Sequence, residues 1–220
     1  TGDIICASLT FGSKAILTVN KWWLGPENEA KLHAAFDKYL GKYKRERNIV
    51  LEIVFCDNEA ECAKLLIDRA HEWKPDFISI WNMNYDLKKI DEVFKKYNYD
   101  SARIFSDPAV PDVFCKWKYK EGKTQKVTQS GKTTGLHPAD RWHIAECPAS
   151  FYFIDAMCLY KRIRLAAGMV SSYSLDATLK RHLGIGKLNF ADVDKLNGTA
   201  WHKEMQTAYR VEYCIYNIFD

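Results

Sequence analysis

The chain alternates between two hydrophobic rhythms. From Asp3 to Asn20, DIICASLTFGSKAILTVN, two β-rich runs flank a Gly-Ser pair, which predicts an antiparallel hairpin. ENEAKLHAAFDKYLGKY (Glu27–Tyr43) spaces its apolar residues for a helix ending near Gly41. NIVLEIVFC (Asn48–Cys56) is apolar enough throughout to predict a central strand. Asn58 with Glu61 resembles a capping box that opens an amphipathic helix, Glu59–Trp73, which Pro75 shuts off. DFISIW (Asp76–Trp81) reads as a short buried strand. Strand, helix, strand in this order predicts a βαβ unit whose two strands are parallel neighbours.

The later part of NMNYDLKKIDEVFKKY (Asn82–Tyr97) has a helical period. Between about 101 and 150 the pattern loosens into short strands and Gly, Pro and Thr-rich turns, expected to form a β-hairpin insertion within the same domain. FYFIDAMCLYKRIRL (Phe151–Leu165) predicts a strand running into a helix. SYSLDATLKRHLG (Ser172–Gly184) predicts a capped helix closed by Gly184, and Thr199–Asp220 a single terminal helix. No internal repeat interrupts this order. GIGKL (Gly184–Leu188) lacks the first glycine and the Ser/Thr of a phosphate loop.

Composition narrows the class. With 220 residues, 47% hydrophobic and 14% aromatic, the expectation is one α/β domain spanning 1–220. No run of eighteen apolar residues and no secretory signal pattern occurs, so no membrane is expected. Seven scattered cysteines without a CxxC pair point to buried thiols in a reducing compartment. The net charge of +4 is mild, but Lys116–Lys132 carries six lysines against one acid, interleaved with Trp117 and Tyr119. That mix suits phosphates and stacked bases; it equally suits a solvated hairpin edge guarded by lysines.

Three side chains carry candidate chemistry. Asp86 lies just beyond the carboxyl end of a predicted central strand, where open α/β sheets place ligands, though acids there often serve as helix caps. Tyr216 and Asp220 are four residues apart, so one helical turn sets phenol and carboxylate side by side. Against this, Tyr209, Tyr213 and Tyr216 also read as a packing stripe. Phosphodiester hydrolysis on a hard divalent cation needs carboxylates converging from separate segments and a group to orient water. Asp155 is either a further acid near such a site or a cap for the helix after it. Cys115, His137, His143 and Cys147 form a Cys/His set without standard zinc spacing. His182 and His202 read as surface or packing residues, and Trp22, Trp23, Trp73 and Trp201 as core or rim.

At these residues the chain resembles a known family. WNMNYDLKKI (Trp81–Ile90) is similar to the second exonuclease motif of family B DNA polymerases, an Asn followed by an aromatic-Asp pair at a strand end. YNIFD (Tyr216–Asp220) is similar to their third motif, Tyr-x-x-x-Asp. SYSLDATLKRHLGIGKLNF (Ser172–Phe190) resembles the segment after the "LY" of FIDAMCLYKRI in the replicative polymerases of T-even-like phages. The resemblance runs from about Phe55 to Asp220, with order and spacing in agreement.

The resemblance implies a proofreading 3′→5′ exonuclease domain of the DEDDy class, with a ribonuclease-H-like mixed sheet and flanking helices. Asp220 would ligate the metal that activates water, Tyr216 would hold that water in line, and Asp86 would act on a second metal, the ions being two Mg²⁺ or Mn²⁺. Asn82 or Asn84 matches the asparagine that contacts the DNA end, with Tyr85, Lys118 and Lys120 as further DNA contacts. The implied partners are a single-stranded DNA 3′ end, primer-template DNA, the polymerase domain of the same parent chain and a sliding clamp. The implied location is the cytoplasm of an infected bacterial host. The family's first motif, Asp-x-Glu, is missing before Asp3, and no polymerase Asp-Thr-Asp motif follows, so the chain is expected to be a piece of a larger polymerase. Two other readings stay open: a catalytically inactive ribonuclease-H-like nucleic-acid-binding module, and a stand-alone nuclease acting on RNA.

Overall fold

The computed structural model describes residues 3–168, 170–188, 190, 193, 195, 196 and 198–219. The architecture is mixed α/β with small sheets, and the chain divides into two compact units, residues 1–69 with 185–220, and 70–184.

In the first unit, β1 (Cys6–Phe11) and β2 (Lys14–Asn20) form the expected antiparallel hairpin, with Phe11 opposite Lys14. Gly12 turns it at φ +61, a left-handed conformation that side chains with a Cβ adopt at a cost. Asn20 ends β2 and accepts hydrogen bonds from the Trp22 and Trp23 amides, capping the short α1 (Lys21–Leu24). Then α2 (Pro26–Glu46) crosses back to β3 (Val50–Cys56), which runs parallel to β2. The helix continues through Gly41, beyond its expected end. That glycine is buried, and the long apolar face around it compensates the low propensity of one residue.

The parallel crossover is therefore β2–α2–β3. The predicted pairing of β3 with the strand after the next helix, α3 (Glu59–Trp73), is not made, since β3 is hydrogen-bonded to β2 at the edge of a three-stranded sheet, β1-β2-β3. Central β2 is buried on both faces, which explains its nearly unbroken apolar run. On one face Leu17 and Val19 pack with Leu24, Leu32 and Phe36 and with Val211, Cys214 and Ile215. Toward α3, Thr18 is fully buried and its hydroxyl donates to the Cys62 carbonyl at 3.0 Å. The α3 start uses the expected residues: Asn58 accepts from the Glu61 amide at 2.9 Å, while the Glu61 carboxylate reaches back to the Asp57 amide at 2.7 Å.

The segment expected as one terminal helix is two, α8 (Gly198–Thr207) and α9 (Arg210–Phe219). The Thr207 hydroxyl donates to the Lys203 and Glu204 carbonyls in the last turn of α8, and the Gln206 carbonyl accepts the Trp23 indole N–H at 3.0 Å. The Trp23 side chain thus satisfies the Gln206 carbonyl, which a continuous helix would have paired with a backbone amide.

In the second unit, β4 (Phe77–Ile80) pairs in parallel with β9 (Tyr152–Asp155), with Ile80 opposite Asp155. Each strand leads into a helix, α4 (Met83–Lys96) and α6 (Ala156–Ile163). Asp100 caps the short α5 (Ser101–Phe105). Between α5 and β9 lie two ribbons, β5 (Lys118–Lys120) with β8 (Ile144–Glu146), and the hairpin of β6 (Gln125–Val127) with β7 (Thr133–Gly135). Aromatic packing anchors them: Trp117 stacks on fully buried Phe105 at 3.7 Å between centroids, and both meet Phe153 edge-on. The last helix of the unit, α7 (Leu175–Leu183), has Ser174 as its N-cap and Gly184 in the left-handed conformation at its end, as the sequence predicts.

Candidate active site

The residues of the second motif come together on the first turn of α4. Tyr85 and Asp86 donate their amides to the Asn82 carbonyl at 2.9 and 3.1 Å, so the helix has begun where the sequence suggests a strand-end loop. Asp86 is half-buried in this turn. Burial alone pushes its carboxyl up to about 6, and the carboxylate has no hydrogen bond or ion pair among the described residues. The helix N-terminus lends partial positive charge to an acid in its first turn, but no charged side chain among the described residues neutralises this one. Tyr85 is exposed.

The two motif asparagines differ in their surroundings. The Asn84 amide is committed on both sides: its oxygen accepts from the Tyr119 hydroxyl at 3.0 Å and its nitrogen donates to Glu121 at 3.1 Å. Asn82 is exposed at the helix start and makes no side-chain capping bond. Lys118 and Lys120 project from one side of β5, where strand residues two apart share a face. Lys120 is ion-paired with Glu146 across the ribbon, and Lys118 lines a cleft with Lys88, Glu92, Lys95 and Tyr119. Lys88 pairs with Glu121 at 2.6 Å.

Asp155 answers to its capping reading. Its carboxylate is buried and accepts from the Cys158 amide at 2.9 Å, as N-cap of α6, and from the His143 amide at 3.2 Å.

Tyr216 belongs to the first unit, on α9, and Asp220 lies outside the described residues. The Tyr216 ring stacks on Tyr213 at 5.9 Å and meets Trp201 at 4.8 Å, beside the small core of Phe190, Val193 and Met205. Tyr209, Tyr213 and Tyr216 thus form a packing stripe against that core. Its Tyr216 hydroxyl nevertheless accepts the Lys187 ammonium at 2.6 Å, a contact absent from the sequence reading. The sequence signal for it is Lys187 itself, in the GIGKL stretch.

The Cys/His set does not assemble. Among the described residues no three His, Cys, Asp or Glu side chains group to hold a metal ion. The candidate donors have other partners: His143 Nδ1 accepts from the Gly122 amide, His137 Nδ1 from the Ala139 amide, and the Cys115 thiol lies against the Val110 and Pro111 carbonyls. The cysteines are free thiols, with burial pushing Cys147 and Cys158 up to about 11. His182 bonds the Tyr160 hydroxyl at 2.9 Å and His202 the Tyr213 hydroxyl at 3.0 Å.

Among the described residues no helix is long and apolar enough to cross a membrane. No family model and no curated protein matches the chain.

Proposed function

We propose that the chain is a 3′→5′ exonuclease domain of a DNA polymerase, built on a ribonuclease-H-like fold and acting on a frayed single-stranded DNA 3′ end. The observation that carries this reading is the Asp86 carboxylate, half-buried and without a partner among the described residues, on the helix turn that holds the second motif. A carboxylate withdrawn from water without a partner destabilises the folded chain. A hard cation drawn to its oxygen would offset that cost.

Two Mg²⁺ or Mn²⁺ ions, when bound, would supply an activated water and charge neutralisation at the scissile phosphate. Asp86 fits one oxygen-ligand position for such an ion, and the described residues alone complete no set of three. The sequence motif assigns another position to Asp220. Within the chain, Asn82 is the asparagine available to the DNA end, because Asn84 is committed to Tyr119 and Glu121. Tyr85 presents an exposed ring for a base to stack on. The third motif gives Tyr216, whose hydroxyl accepts the Lys187 ammonium, the part of orienting a water. The parent polymerase domain, primer-template DNA, a sliding clamp and a phage-infected host cytoplasm belong to the same proposal.

The test is the length of a 5′-labelled single-stranded oligonucleotide incubated with the intact protein and Mn²⁺. Stepwise shortening from the 3′ end, lost in Asp86→Asn, supports the exonuclease. Tight binding of the oligonucleotide with no shortening favours the inactive binding module, and preference for an RNA strand favours a stand-alone ribonuclease.

A further inference from the structure

A tyrosine outside every motif stands behind the Asp86 turn. Tyr119 is the middle residue of β5, and its ring lies parallel to His143, planes 9° apart and centroids 6.2 Å apart. That platform is fixed from below. The His143 amide is held by the Asp155 cap at 3.2 Å, and its Nδ1 accepts from the Gly122 amide at 3.1 Å. Position 122 admits only glycine here, because a Cβ would fall 2.3 Å from the Arg141 carbonyl oxygen.

From this platform the Tyr119 hydroxyl donates to Asn84 Oδ1 at 3.0 Å, which turns the Asn84 nitrogen toward Glu121 at 3.1 Å. Glu121 also takes Lys88, one helical turn beyond Asn84, at 2.6 Å. The ribbon therefore grips two successive turns of α4. We propose that Tyr119 is a positioning residue for the second motif, its hydroxyl fixing Asn84 and thereby the backbone turn that carries Asn82 and Asp86. Burial, with Glu121 and Asp155 nearby, holds the phenol protonated well above its ordinary range, so the hydroxyl donates throughout the working pH range. The exposed Lys88–Glu121 pair adds little by itself. The partly buried Tyr119–Asn84 bond is the specific link.

The inference rests on the nuclease reading for its activity readout and stands apart from it in a second measurement. Tyr119→Phe keeps the ring on His143 and removes only the hydroxyl. In the intact protein its kcat on single-stranded DNA should fall roughly tenfold with KM nearly unchanged, the consequence of a displaced reacting group. Asn84→Ala should do the same, and the double variant should fall no further than either single variant, because one link is broken in all three. Amide hydrogen exchange at Tyr85 and Asp86 should quicken by a similar factor in Tyr119→Phe while β9 and α6 stay protected.

Unchanged exchange at these two amides, exchange raised evenly across residues 70–184, or additive losses in the double variant would each overturn the proposal. If the wild-type protein shortens no oligonucleotide, the nuclease reading fails, and the exchange pattern alone decides the role of Tyr119.

Discussion

Asp155 closes β9 and Asp86 follows its parallel partner β4, and each lies at the beginning of a helix, yet their surroundings are opposite. Asp155 is buried and accepts two backbone amides, Cys158 and His143. Asp86 is half-buried and its carboxylate meets no donor among the described residues. The difference separates a carboxylate that holds the fold together from one that the fold supports at a cost. Helix-start acids are ordinarily caps; one that caps nothing and is nevertheless partly shielded from water is suited to a ligand from outside.

The sharpest way to break the comparison is to exchange the consequences of mutation. Asp86→Asn should lower 3′-end hydrolysis on the order of 10³-fold, since a lost metal ligand removes several kcal/mol of charge stabilisation. Gel analysis of labelled oligonucleotide products reads this out, and activity within a few-fold of wild type would place Asp86 outside the chemistry. Asp155→Ala should instead unfold the protein more readily, by about 2–4 kcal/mol in urea melts, because two amides lose their acceptor. A variant as stable as wild type would mean that the cap contributes nothing.

Stability against pH should divide the two residues next. Because the folded Asp86 carboxyl is raised from 3.8 to about 6, the folded chain binds more protons than the unfolded chain between those values. Stability then falls as pH rises through that window, and the loss is complete above it. Asp86→Asn, which carries no charge at any pH, should be more stable than wild type by on the order of 1–3 kcal/mol near pH 8. Near pH 3 the two should unfold together, whereas an equal difference at both pH values would rule out burial of the charge as the cause. The smallest effect is expected at Tyr216→Phe, which loses the Lys187 bond and about 0.5–1.5 kcal/mol, with cleavage slowed only several-fold. A loss as complete as that of Asp86→Asn would give the hydroxyl a larger part than orienting water.

Local signals carried much of the fold. The β1–β2 hairpin, the Asn58–Glu61 box and the Ser174 and Gly184 caps lie within a few residues of the elements they define. The partner of β4 did not, because β9 begins at Tyr152, and nothing in the apolar run Phe77–Ile80 encodes so distant a ladder. The break between α8 and α9 has no local signature, since neither Gly nor Pro marks it; the Gln206 carbonyl there pairs with the Trp23 indole, distant in sequence. At the site, the motif placed Asp86 but left Asn82 and Asn84 as equals. Tyr119 and Glu121, both more than thirty residues from Asn84, distinguish them. The unpaired state of Asp86 is likewise a property of its surroundings and has no local signature.

The proposed role of Asp86 in cutting DNA is the central claim. Its most direct measurement is the rate at which the intact protein shortens a 5′-labelled single-stranded oligonucleotide in Mn²⁺, compared among wild type, Asp86→Asn and a folded Asp155→Asn control. The predicted result is stepwise 3′ shortening by wild type and the control and none by Asp86→Asn at equal folding. Equal shortening by wild type and Asp86→Asn, or no shortening by wild type, would contradict it.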